Sequence, residues 1–152
     1  MILKKIIFNA FALFDESFAL RFIFKAKVGE KCRLISNNYG SEPFLIEIGN
    51  HVSATKVTFI THDGGVWIFR EKKPDIDLIK KIKIESNVFI GYGAIILPGA
   101  HIESDVIIGA GSVVKGKLLS GNVYAGVPAK IICNIDQYLE KNKFNLLNKK
   151  NM

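Results

Sequence analysis

The chain is short of the residues that staple small secreted scaffolds or build metal cages. Two cysteines, Cys32 and Cys133, cannot form a disulfide framework, and nothing else points to an oxidising compartment. Only three histidines, two methionines, one tryptophan and four prolines are present. No apolar run reaches the ~18 residues that a membrane span needs. Acidic residues are in deficit as well: 14 Asp and Glu against 21 Lys and Arg leave a net charge of +7. Apolar residues are plentiful at 49%, which excludes a disordered tail, and 152 residues suffice for one core but not two. The basic excess asks for an anionic partner: nucleic acid, a membrane surface or a phosphorylated ligand. The lysines scatter over a loop and the termini without a nucleic-acid motif, so no nucleic-acid role is expected.

Residues 1–27 are basic and rich in Phe. Lys4 and Lys5 precede IIFNAFALF as in a secretory leader, but Asn9 interrupts the run and Asp15 and Glu16 follow at once. A leader is therefore not expected. Ile7, Phe11, Phe14, Phe18 and Phe22 recur at spacings of 4, 3, 4 and 4, which predicts an amphipathic helix. Its stripe fits packing on the core or on a neighbouring subunit. The lysines favour, and the acidic pair opposes, a peripheral membrane contact.

The middle of the chain has a period of six. Ile84, Ile90, Ile96, Ile102, Ile108 and Val114 are all aliphatic and β-branched. Four residues after each stand Val88, Ala94, Ala100, Val106, Ser112 and Leu118, mostly small or medium. This period fits neither an amphipathic helix nor one long strand. It fits a short strand and a turn, repeated, so that the chain winds around a triangular prism with the aliphatic positions inside. The phase extends upstream through Ile48, Ala54 and Ile60, with Val52 and Thr58 as companions. It fails over residues 61–83, a stretch with Gly64, Gly65, Pro74 and many basic residues, which reads as a loop thrown out of one corner. A mainly β solenoid over residues 28–133 follows, with a helical tail over 134–152 that could cap its open end.

The repeat, IGAGSVVKG and the terminal GVPAKII resemble the left-handed β-helix (hexapeptide-repeat) acyltransferases. VTFITHDGG, the charged loop and VFIGYGAIILPGAHI are more closely similar to the sugar acetyltransferases of the maltose/galactoside type. The resemblance implies acetyl-CoA as cosubstrate, a sugar or surface-glycan acceptor, a homotrimer with sites between subunits, and a cytoplasmic location that includes the inner face of the membrane. Many enzymes of the type act on surface polysaccharides or their precursors.

Acetyl transfer needs a base at the acceptor. His62 matches the family's catalytic histidine, and an imidazole with an ordinary pKa of about 6.5 can take a proton near neutrality and return it to the departing thiolate. Asp63 neighbours it but points elsewhere in an extended segment, and is expected to shape the turn with Gly64 and Gly65. Asn37 or Asn38 matches an acceptor-contacting asparagine of the family, and Trp67 offers either an acceptor platform or a loop anchor. Tyr92, Ala110, Lys115 and Lys130 match coenzyme A contacts, the lysines suiting its phosphates. Phe89 stands where relatives often carry Trp, which removes an indole N–H. His51 and His101 lie 11 residues before and 39 after His62, unlike the zinc ligands of hydratases that share the fold, so no metal is expected. Neither cysteine falls in a catalytic motif, which favours direct transfer over a thiolate acyl-enzyme. An amino-sugar N-acetyltransferase and a non-catalytic β-helix binding module remain the alternatives.

Overall fold

The six-residue period folds into three parallel sheets that form the faces of a prism. The structure is a computed structural model that describes residues 2–13 and 15–146. Face one stacks Lys27–Val28, Ile46–Ile48, Ile82–Ile84, His101–Ile102 and Lys117–Leu118. Face two stacks Arg33–Ile35, Val52–Thr55, Val88–Ile90, Val106–Ile108 and Asn122–Ala125, and face three Thr58–Phe59, Ile95–Ile96 and Val113–Val114. All six aliphatic positions from Ile84 to Val114, and their six companions, are buried. Ser112 is the polar exception inside, and its hydroxyl donates to the Gly109 carbonyl while accepting from the Gly126 N–H. A buried hydroxyl without such partners would be costly.

The phase slips at two corners. Upstream, Ile48, Val52 and Ala54 are buried as expected, but Val57 and Phe59 enter the core in place of Thr58 and Ile60. Phe59 pairs with Ile96 while Ala54 pairs with Ile90, so this corner is one residue shorter than the one above it. Lys56 takes a left-handed conformation (φ 51°) in the tightened turn. Downstream, Leu118 pairs with Ile102, so it holds the main aliphatic position and not the companion one. The corner after Val114 has lost two residues.

The N-terminal stripe is two helices, not one: α1 (Ile2–Ala12) and α2 (Glu16–Phe24). Asp15 interrupts them because its carboxylate accepts the N–H groups of Ser17 and Phe18, a helix N-cap in extended conformation. The stripe faces outward: Phe11, Phe18 and Phe22 are exposed, and Phe8 packs inward on Phe24 and Tyr39. Phe14 lies outside the described residues. At the other end, Lys130–Asn134 adds an antiparallel strand to Asn122–Ala125, where only a decay of the repeat was expected. α3 (Ile135–Asn142) follows, started by a capping box between Asn134 and Gln137. Residues 147–152 of the expected helical tail lie outside the described residues.

Candidate active site

His62 stands where the chain leaves the prism. His62–Asp63 pairs antiparallel with Leu78–Ile79, which closes the excursion loop at its base. Asp63 accepts the Gly65 N–H at 2.9 Å and starts a 3₁₀ turn over Gly64–Phe69, so it shapes the turn and leaves the histidine to other partners. Those partners are two carboxylates that sequence reasoning missed. Asp77 Oδ1 lies 3.4 Å from His62 Nε2 and Glu42 Oε1 lies 3.9 Å from Nδ1. Glu42 is fixed in turn by the hydroxyl of buried Thr61, which donates to Oε2 at 2.7 Å. Asp77 also binds Arg70, whose guanidinium sits 5.9 Å from the Trp67 ring centroid. Trp67 is thereby linked to His62 through Arg70 and Asp77, while its own indole stays in solvent. Both carboxylates occupy loops, 20 residues before and 15 after His62, where no periodic pattern marks them.

A cleft of about 160 Å³ brings Asn38, Gly40, Glu42 and Thr61 together with His62. Asn38 is exposed there, its side-chain oxygen accepting the Gly40 N–H at 3.0 Å. Asn37 is placed differently. Its amide donates to Glu16, Tyr39 and the Ala54 carbonyl and accepts the Val57 N–H, so its polar atoms are spent on the protein itself. Buried Glu16 also accepts the Asn37 N–H and the Tyr39 hydroxyl, and ties α2 to the segment that presents Asn38. Burial, with the Glu16 charge beside it, keeps the Tyr39 phenol well above its usual pKa.

The four residues matched to coenzyme A surround face three. Tyr92 and Ala110 occupy stacked turns at the corner leading into it, joined by the Gly111 N–H donating to the Tyr92 carbonyl. Gly91 is required at this corner, because a Cβ there would collide with the backbone nitrogen of Ala110. Lys115 follows Val114 at the opposite corner, on the same prism edge as His62 and two coils above it, roughly 10 Å along the axis. Lys130 follows Ala129, whose N–H donates to the Val113 carbonyl. Tyr92, Ala110, Lys115 and Lys130 are all exposed, and Lys56 Nζ lies 5.4 Å over the Tyr92 ring.

The other histidines have structural partners. His101 Nε2 bonds Glu85 at 2.8 Å on face one, and His51 Nδ1 bonds Asn87 at 2.8 Å at a corner. Among the described residues no group of three His, Cys, Asp or Glu side chains could hold a metal ion. Burial raises the Cys32 thiol above its ordinary pKa, which leaves it a poor nucleophile.

Among the known proteins similar to this chain in sequence or fold, several are acetyltransferases by name. A profile of the bacterial transferase hexapeptide family (six repeats) matches residues 81–116. Protein CapG of Staphylococcus aureus is 51% identical over 119 residues, which cover 76% of this chain and 69% of CapG. Among solved structures, a maltose O-acetyltransferase from Clostridium difficile superimposes with a TM-score of 0.63 at 26% identity, over 88% of this chain and 84% of that one. A galactoside acetyltransferase in complex with coenzyme A reaches 0.66 at 23% identity, over 91% and 82% of the two chains.

Proposed function

Because the chain belongs to the bacterial hexapeptide-repeat family as an acetyltransferase, we propose that it moves the acetyl group of acetyl-CoA onto a sugar hydroxyl of a surface polysaccharide or its precursor. The observation that carries this reading is His62, held between Glu42 and Asp77 in a cleft that also exposes Asn38. Glu42, pinned by Thr61, orients the ring at Nδ1. Asp77 comes from the excursion loop and occupies the Nε2 side, which is where the acceptor hydroxyl enters. Nε2 takes the hydroxyl proton as the oxygen bonds to the thioester carbonyl carbon. The carbon–sulfur bond then breaks, and the thiolate leaves with the proton from the imidazolium. Asn38, not Asn37, has an amide free to meet the acceptor or the developing oxyanion. Tyr92 and Ala110 line the pantetheine path, and Lys115 and Lys130 neutralise the phosphates.

The assembly belongs to the same reading. A left-handed coil and a homotrimer, with His62 on one wall and cofactor contacts from two subunits, would complete a site that one chain leaves open to solvent. The test is thiol release with acetyl-CoA against a panel of sugars and polysaccharide repeats. His62→Ala should lose on the order of 10²–10⁴-fold in rate. A product that survives mild base would move the acceptor from hydroxyl to amine, and parental rates in the variant would overturn the assignment of the base.

A further inference from the structure

Among the described residues, the α1–α2 pair leaves seven large apolar side chains in solvent: Leu3, Ile6, Ile7, Phe11 and Leu13 on or just after α1, and Phe18 and Phe22 on α2. They form a continuous surface. α1 buries Phe8 on one side, and its 3.6-residue turn puts Leu3, Ile6, Ile7 and Leu13 on the other. Phe11, Phe18 and Phe22 line up beside them, with ring centroids 6.2 and 4.2 Å apart. The helix is thus apolar toward the coil and apolar away from it.

Among the described residues of the helix pair, exposed lysines outnumber exposed carboxylates. The acidic pair that argued against a membrane is occupied: Glu16 is buried among Asn37 and Tyr39, and Asp15 caps α2. Arg21 is held by the carbonyls of Val28 and Gly29 and by Glu30. Lys4 and Lys25 remain exposed.

We propose that the α1–α2 pair docks the protein on an anionic lipid bilayer, its apolar row entering the acyl boundary and Lys4 and Lys25 meeting headgroup phosphates. Helices of 11 and 9 residues cannot span the hydrocarbon, so they lie in the plane of the interface. Charge argues against a two-fold contact with a second copy, because such a contact would set the lysines of both copies together. A cleft lined by Phe8, Asn9, Phe24, Asn38 and Gly40 runs from the helices to the His62 cleft, with which it shares Asn38 and Gly40. The helix pair therefore adjoins the acceptor side of the site through its inner side, although the docking itself does not rest on acetyl transfer.

The test is co-sedimentation of the full chain with vesicles of phosphatidylglycerol and phosphatidylcholine, against phosphatidylcholine alone. Binding is expected to the anionic vesicles only, and to weaken several-fold as salt screens the lysines. Ile6→Gln with Phe22→Gln should weaken it on the order of 10–100-fold, at unchanged helical circular dichroism and sedimentation mass. Lys4→Glu with Lys25→Glu, which leaves every apolar side chain in place, should weaken it as well. Failure to pellet with anionic vesicles would overturn the proposal, as would equal binding to both compositions. So would a glutamine variant that binds like the parent but dissociates into smaller species, which would assign the surface to a second copy. None of these outcomes touches the His62 reading, which thiol release in solution decides separately.

Discussion

Glu85 lies between His101 and Lys83 on face one, and their hydrogen bonds hold its carboxyl down at about 2. Its unfolded value is the ordinary 4.5, so the contribution to stability is present above that pH and is lost as pH falls towards 2. The melting temperature should therefore drop on acidification through that window, and Glu85→Gln should flatten part of the drop in thermal scans. The effect will be small, since the carboxylate faces solvent and water screens the pair. His62 shows the other use of a carboxylate neighbour, as an orienting partner. Its place was legible from THDGG, because the motif sits at the mouth of a loop. Glu42 and Asp77 were not, since their nearness to the ring depends on where two aperiodic loops fold back.

The break between α1 and α2 shows why periodicity alone misleads at element level. The Phe spacing continues across Asp15 as though the helix did, yet the carboxylate satisfies the first N–H groups of a new helix and stops the old one. Asp15→Ala should cost about 1 kcal/mol in denaturant unfolding. The same substitution should leave the bonds between Glu16 and Asn37 intact, since Asp15 takes no part in them. Corner length is the other element-level device. One residue lost after Ala54 and two after Val114 change which side chains point inward, while the stacking of strands on the faces above and below is kept. A fixed six-residue count cannot see such losses; the register of each pair reveals them.

The three faces of the whole molecule differ in what they offer. Face one carries Lys27, Glu47, Lys83, His101 and Lys117 in register, with ion pairs such as Lys27–Glu47 at 3.0 Å and Lys117–Glu103 at 2.6 Å. It suits water. Around faces two and three Phe89, Tyr92, Val127, Ile131 and Ile132 are exposed, with Trp67 and Ile68 on the excursion loop. These are the surfaces a trimer would cover. Sedimentation equilibrium should return three times the 16.9 kDa chain mass, and a single-chain mass at micromolar concentration would remove the shared site. By itself the sequence determined the prism and its core positions from Ile84 to Val114, because a strand–turn repeat needs only local spacing and a buried aliphatic in each rung. Tertiary structure alone decided that Glu42 and Asp77 flank that histidine and that Asn38, not Asn37, is exposed beside it. It also decided that Glu16 is turned inward, leaving the +7 excess noted at the outset with an uncovered apolar surface beside Lys4 and Lys25. Each of these depends on contacts between segments 15 or more residues apart, whose meeting is set by loop length and burial and not by any pattern along the chain.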